Sequence, residues 1–120
     1  MEYKLTTVRV FVSDWERAMR FYVDTLEMVA SYDVGWAQME TGEGQLAVER
    51  VDVSDDEGRV LVGRFVGVSL QVPNIVATYK ALAERGVEFL GPPERQPWGG
   101  ILAHLRDPDG NVLTLLGSGR

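Results

Sequence analysis

The sequence contains one histidine, His104, and Glu49 is the acidic residue that we pair with it as a candidate for chemistry. An imidazole and a carboxylate that face the same space can pass protons to and from a substrate, or can supply two ligands to a divalent metal. Their spacing along the chain does not fix their separation in the fold. A lone histidine on a half-exposed strand is more often a hydrogen-bonded structural residue or a ligand contact than a metal ligand.

Aromatic and polar residues elsewhere in the chain could bind an organic compound. Aromatic rings would stack on a planar group, and the acidic charge of the chain would tolerate a cation. Arg9 could contact such a ligand, and a structural ion pair with an acidic group is an equally good interpretation. The complete set of candidate ligand contacts is Arg9, Phe11, Trp36, Glu49, Gln71, Trp98 and His104.

Several common chemistries are disfavoured by what the sequence lacks. Without cysteine there is no disulfide, thiolate nucleophile or thiolate metal site. No glycine-rich phosphate loop follows a predicted strand, and no Ser-His-acid constellation is indicated. The acidic stretch from Ser54 to Arg59 lacks the spaced ligands and distal glutamate of a calcium loop, so we interpret it as a solvated link.

The composition is typical of a soluble globular protein that binds neither nucleic acid nor membranes. The chain has 120 residues, of which 45% are hydrophobic and 25% charged, and its net charge is −6. A negative charge disfavours nucleic acid and anionic membrane surfaces as partners. No apolar run approaches the roughly 18 residues of a membrane-spanning helix, and no signal peptide is indicated, so we expect a cytoplasmic protein.

An internal repeat organises these candidate residues. The segment 7–28 reads as a strand with alternating faces followed by an amphipathic helix, and the pattern returns in 67–89. Thr7 matches Gly67 and Val12 matches Val72, with no gap between them. The chain is therefore expected to contain two copies of one module, with a site that draws on equivalent positions of both.

Each module is predicted to have the order β-α-β-β-β. Ser13 and Glu16 suggest a capping box at the first helix, and Asn74 is the expected cap of the second. The strands of the first module are expected near 7–12, 28–32, 35–40 and 45–51. Those of the second are expected within 60–72 and near 87–90, 101–106 and 112–116, with a tail that frays.

These elements predict an α+β fold in which a single domain, 1–120, consists of module one at about 1–53, a link at 54–59 and module two at about 60–116. In each copy the apolar strand face is expected to be buried under the helix. The opposite face is mixed, and a curved sheet with the helix on its convex side would turn it into a concave cup.

Three stretches then resemble the vicinal oxygen chelate superfamily, which includes glyoxalases, extradiol dioxygenases and bleomycin-resistance proteins. They are the helix start VSDWERAMRFY at 12–22, the loop PWGG at 97–100, and the turn DPDGNVL at 107–113. With the repeat, the resemblance covers nearly the whole chain. It implies the glyoxalase/bleomycin-resistance fold, in which two modules form a curved cup of eight strands, and a homodimer.

Enzymes of that superfamily bind one divalent metal through His, Gln or Glu side chains. The resemblance places the ligand positions on Thr7, Gly67 and Thr114, with a further equivalent near Ala47. Threonine is a poor ligand for these metals, and glycine has no side chain. We therefore expect neither a metal nor another cofactor.

The expected function is that of the bleomycin-resistance branch, which the resemblance implies is metal-free and sequesters a drug. The chain would bind an aromatic or cationic small molecule in its cup, a role in antibiotic resistance. The alternative is an enzyme of the superfamily. It would be a lyase, isomerase or dioxygenase with rearranged metal ligands, or a metal-free catalyst that uses Glu49 and His104 as its acid and base. A third alternative is a structural or regulatory domain with an unused cup.

Overall fold

The structure is a computed structural model that describes residues 1–118. The chain divides into two compact units, Met1–Val62 and Gly63–Arg120. The boundary falls just after the acidic link that the sequence predicts. No helix among the described residues is long and apolar enough to cross a membrane.

The first unit contains a four-stranded sheet with the order β1-β4-β3-β2, in which β1 and β4 are parallel and the other pairs antiparallel. Helix α1 precedes β2 and continues directly as a π-helical segment, Arg20–Thr25. The elements are β1 (Thr7–Val12), α1 (Trp15–Met19), β2 (Ala30–Asp33), β3 (Trp36–Glu40), β4 (Gln45–Arg50) and the short α2 (Asp56–Arg59).

The second unit repeats this plan in a sheet with the order β5-β9-β8-β6, where β5 and β9 are parallel. A two-residue strand, β7, pairs with β8, and among the described residues of the second unit it is the only addition to the β-α-β-β-β order. The elements are β5 (Phe65–Gln71), α3 (Ile75–Glu84), β6 (Glu88–Phe89), β7 (Glu94–Arg95), β8 (Ile101–Arg106) and β9 (Val112–Gly117). The predicted α+β fold is confirmed.

Each unit buries one face of its sheet. In the first unit, Val10, Val12 and Val48 are at most 1% exposed, and the helical residues Ala18 and Tyr22 are buried with them. The second unit has an equivalent core of Ile75, Leu82, Ala103, Leu105, Leu113 and Leu115. Burying one such aliphatic side chain stabilises the fold by about 1.5–3 kcal/mol, which fixes this face of each sheet toward the core. The polar residues of the strands therefore lie on the opposite face.

The helix caps are partly as predicted. Asn74 caps α3, because its side chain accepts a hydrogen bond from the amide of Ala77 at 3.0 Å. The prediction of Ser13 as the cap of α1 is wrong, since Asp14 accepts from the amide of Arg17 at 3.1 Å. Both residue types cap helices well, and the backbone begins its helical turn one residue later than the Ser-x-x-Glu pattern suggests.

The π-helical segment absorbs one extra residue in the first unit. The amide of Met28 donates to the carbonyl of Tyr22, whereas Val87, one residue nearer its helix, donates to Leu82. Glu27 then has φ 61°, a left-handed conformation that Gly86 supplies at the same place in the second unit with φ 88°. The copies are therefore 60 residues apart at the helix, where Tyr22 matches Leu82, and 59 residues apart just after it, where Met28 matches Val87.

The link contains the short helix α2, which begins at a cap by Asp55, whose side chain accepts from the amide of Gly58 at 2.6 Å. Within 54–59 only Gly58 is buried, and the other residues are exposed, as the prediction of a solvated link requires. Beside it, the hydroxyl and amide of Ser54 donate to the carboxylate of Asp52 at 2.6 and 2.8 Å. These hydrogen bonds lower the pKa of Asp52 from its ordinary value.

The turn after β8 fastens the start of the second unit. Asn111 is 1% exposed, and its Oδ1 accepts from the amides of Gly63 and Arg64 at 2.8 and 3.2 Å. Its Nδ2 donates to Asp107 at 2.9 Å. The predicted fraying tail is wrong at Gly117, which is buried as the last residue of β9, and residues 119–120 lie outside the described part of the chain.

Candidate functional site

The polar face of the first sheet brings four of the candidate residues together. Phe11 pairs with Glu49 across β1 and β4, and Glu49 pairs with Trp36 across β4 and β3, so the three form one row. Arg9 lies two residues before Phe11 on the same face of β1. We call Arg9, Phe11, Trp36 and Glu49 the Arg9 cluster.

Arg9 holds this cluster together by two contacts. Its Nη1 donates to Oε1 of Glu49 at 3.2 Å, and its Cζ lies 5.2 Å from the centre of the Phe11 ring. The side chain of Arg9 remains 54% exposed and that of Glu49 29% exposed. The carboxylate of Glu49 thus lies beside a guanidinium and an aromatic ring, and it remains partly exposed to solvent.

One small residue and one polar residue lie beside the cluster on neighbouring strands. Ala47 is fully buried and pairs with Arg9 on one side and Gln38 on the other. Gln38, half-buried, was missed in the sequence, although its position two residues after Trp36 places it on the same strand face. Its amide can donate or accept hydrogen bonds toward a bound molecule.

The polar face of the second sheet carries the histidine. Ser69, Thr114 and His104 form a row across β5, β9 and β8. His104 Nδ1 and Thr114 Oγ1 share a hydrogen bond of 2.8 Å, and the hydroxyl is nearly fully buried. The ring of Phe65 meets the imidazole edge-on at 5.6 Å between centroids. His104 is therefore held in one orientation by a hydrogen bond and an aromatic contact.

A pocket of about 130 Å³ opens beside this histidine within the second unit. Gln96 is oriented at its wall by a hydrogen bond from Nε2 to the backbone carbonyl of Glu94 at 3.1 Å. The pocket was missed in the sequence because it forms from a loop whose strand, β7, has only two residues. Its lining residues are Leu90, Gly91, Pro92, Glu94, Gln96, Leu102, Ala103 and His104.

Two of the candidate residues lie apart from these clusters. Gln71 is exposed and ends β5, where it pairs with Leu116. Trp98 is 66% exposed in the loop before β8, and its ring lies so close to Gly100 that a side chain there would collide with it. Neither residue lines the pocket beside His104.

The positions that the family resemblance assigns to metal ligands do not fit a metal. Gly67 has φ 77° in a bulge of β5, where the register with β9 shifts between Phe65 and Ser69. Thr114 is hydrogen-bonded to His104, and the hydroxyl of Thr7 contacts that of Thr6 at 3.4 Å. Among residues 1–118, no three His, Asp or Glu side chains form a group that could hold a metal ion.

The proposed acid and base are each engaged within their own units. Glu49 belongs to the first unit and is paired with Arg9, whereas His104 belongs to the second and is paired with Thr114. Direct cooperation between Glu49 and His104 therefore stays a prediction.

Comparison with known proteins places this geometry in a family. The sequence profile of the Glyoxalase/Bleomycin resistance protein/Dioxygenase superfamily matches residues 4–115. A structure of a superfamily member from Sphaerobacter thermophilus DSM 20745 has 32% identity and a TM-score of 0.80, with 98% of each chain covered. TnmS3, described as an antibiotic binding protein from Streptomyces sp. CB03234, has 31% identity and a TM-score of 0.74, covering 98% of this chain and 97% of its own. The Bacillus subtilis (strain 168) protein YraH, described as uncharacterized, is 27% identical over 93% of this chain and 96% of its own.

Proposed function

This chain belongs to the Glyoxalase/Bleomycin resistance protein/Dioxygenase superfamily, and we propose that it is a binding protein that holds a planar aromatic cation without using a metal. The proposal includes a homodimer in the cytoplasm and a protective role in which the compound is sequestered. The relation to TnmS3, which is described as antibiotic-binding, supports this assignment.

The Arg9 cluster is the observation that carries the proposal. A half-exposed carboxylate, Glu49, lies in one row between the aromatic side chains of Phe11 and Trp36. Aromatic faces attract cations and stack on flat rings, and the carboxylate adds a charge of the sign that a cation requires. A planar cation therefore suits the three side chains of the row if it displaces the guanidinium of Arg9 from Glu49, whereas an anion would face the carboxylate.

Calorimetric titration with matched probes tests this assignment. N-methylquinolinium is a flat cation, quinoline has the same shape without the fixed charge, and naphthoate is a flat anion. We expect N-methylquinolinium to bind most tightly of the three. In nuclear magnetic resonance spectra it should also shift the indole N–H signal of Trp36. Glu49→Gln should weaken its binding about fivefold, since it removes a charged partner worth about 1 kcal/mol.

A matched control is Glu40→Gln on the neighbouring strand β3, an exposed acid outside the cluster, which should leave the affinity unchanged. Equal affinities for the cation and the anion would contradict the proposal. Binding of none of the three probes, without any rise in thermal stability, would also contradict it, because a ligand of the native state must stabilise it.

The metal-free part of the proposal has a separate test. Elemental analysis of the purified protein should find no stoichiometric Zn, Ni, Mn or Fe. A stoichiometric metal that is lost in His104→Ala would favour the enzyme alternative with rearranged ligands.

A further inference from the structure

The pocket beside His104 has the size of a single ring. Its volume is about 130 Å³, and an engineered apolar cavity of about 150 Å³ in another protein holds one benzene molecule. The apolar part of its lining comes from Leu90, Pro92 and Leu102. The walls thus suit one six-membered ring rather than a fused ring system.

The polar lining offers acceptors. Glu94 lines the pocket, and within residues 1–118 its carboxylate has no ion-pair partner. The Nε2 of Gln96 donates one hydrogen bond to a backbone carbonyl, and this bond orients the amide so that its oxygen can accept from a ligand. Two of the polar side chains therefore favour a ligand that donates hydrogen bonds.

His104 can complete this set. Its Nδ1 shares a hydrogen bond with the hydroxyl of Thr114, and no described residue bonds its Nε2. When Nδ1 carries the proton and the hydroxyl accepts it, Nε2 becomes an acceptor as well. The edge contact with Phe65 restrains the imidazole ring in this arrangement.

We propose that this pocket is a separate subsite for one aromatic ring that bears an ammonium or other N–H donor group, with Glu94, Gln96 and His104 as the acceptors. The inference rests on the proposed function for the premise that the chain binds organic compounds. It adds the ligand class that the second unit would take.

Nuclear magnetic resonance tests the subsite directly, because the chain has one histidine and its ring signals are unambiguous. The probes are benzylamine, which is a donor and a cation, and benzyl alcohol, which has the same shape without the charge. We expect benzylamine to shift the His104 ring signals saturably and to bind more tightly than the alcohol. Glu94→Gln should weaken benzylamine about three- to fivefold, the loss expected for an exposed charge pair worth up to about 1 kcal/mol.

The control variant is Glu88→Gln on β6, which removes another exposed acid of this unit, one paired with Arg106 and not part of the pocket lining. Its effect on benzylamine affinity should stay below about twofold, as for other exposed charges. The inference is overturned if benzylamine leaves the His104 signals unchanged up to tens of millimolar. Equal binding of the two probes, or no loss of affinity in Glu94→Gln, also overturns it.

The two proposals can fail independently. N-methylquinolinium is read at the Trp36 indole in the first unit, and benzylamine at the His104 ring in the second. A shift at Trp36 without one at His104 would leave the proposed function standing and remove the subsite. A shift at His104 alone would remove the Arg9 cluster as the binding site and keep the pocket.

Discussion

Arg9 and Glu49 form an ion pair across two parallel strands, with Nη1 and Oε1 3.2 Å apart and a separation of 40 positions in the chain. The free protein thus already supplies Glu49 with a cation. A cationic ligand that uses this carboxylate must compete with the guanidinium for it. The ion pair holds the carboxylate of Glu49 in place, and it also weakens the binding of a cationic ligand to that carboxylate.

Replacing Arg9 should therefore strengthen the binding of a planar cation. Arg9→Ala removes the cation that pairs with Glu49 and lies over the ring of Phe11, and we expect the Kd of N-methylquinolinium to fall about three- to tenfold by calorimetry. The free energy of unfolding should change by less than about 1 kcal/mol, because the pair is exposed.

Arg106→Ala is the control for Arg9→Ala, since it breaks a similar exposed pair with Glu88 at 3.1 Å in the second unit. It should leave the affinity for N-methylquinolinium unchanged. Weaker binding in Arg9→Ala would mean that the guanidinium itself contacts the ligand.

Replacing the buried Asn111 should cost more stability than replacing Asn74, which caps a helix at the surface. Asn111→Ala removes the buried acceptor of the Gly63 and Arg64 amides and one of the donors to the Asp107 carboxylate, so we expect a loss of about 2–4 kcal/mol. Asn74→Ala removes one exposed helix cap and should cost about 1 kcal/mol. Urea unfolding measures both. Equal losses would contradict the anchoring role of Asn111.

Glu27 is a site where a smaller residue should stabilise the protein. Its φ of 61° is unfavourable for a residue with a side chain, so Glu27→Gly is expected to raise the free energy of unfolding by about 0.5–1 kcal/mol. Glu84→Gly is the comparison, because this residue lies in the last turn of α3 with ordinary helical geometry. It should lower stability by up to about 1 kcal/mol. Thermal unfolding of both variants would reveal the opposite signs, and a destabilising Glu27→Gly would refute this account.

Gly67 should resist substitution for conformational reasons alone. An added Cβ would meet only Phe65, at an ordinary 3.9 Å, yet φ is 77°, so Gly67→Ala should cost about 1–2 kcal/mol. Gly44 has open space around it and no positive φ, so Gly44→Ala should be tolerated or stabilise by up to about 1 kcal/mol. Chemical denaturation separates the two. A harmless Gly67→Ala would mean that the bulge adjusts freely.

The sequence predicts the faces of the strands better than the contacts on them. Alternation along the strands places Arg9, Phe11, Trp36 and Glu49 on one face, and the registers agree. The bounds of β8 also agree with the prediction, because a strong turn follows the strand. The ion pair between Arg9 and Glu49 remained one of two interpretations, since nothing local selects a partner that is 40 residues away.

Other features depend on backbone conformations that the sequence does not specify. The glycine at position 67 aligned with Thr7 as a vacant ligand position, whereas the structure uses its positive φ for a bulge in β5. The pocket beside His104 requires the path of a loop, and the short strand β7 has too few residues to show a pattern. The site in the second unit was therefore predicted only at His104.

The π-helical segment, Arg20–Thr25, has an evolutionary consequence for a chain of two related halves. An inserted residue in an ordinary helix rotates everything after it by about 100°, which would have turned the following strand away from its core. Here the widened turn takes up the insertion, and both halves meet the same core position, Tyr22 or Leu82, with the same backbone contact. A change of one residue in length is thus accommodated at this turn while the backbone contact to the core position is kept, so this turn is where we expect one-residue insertions to be tolerated in variant libraries.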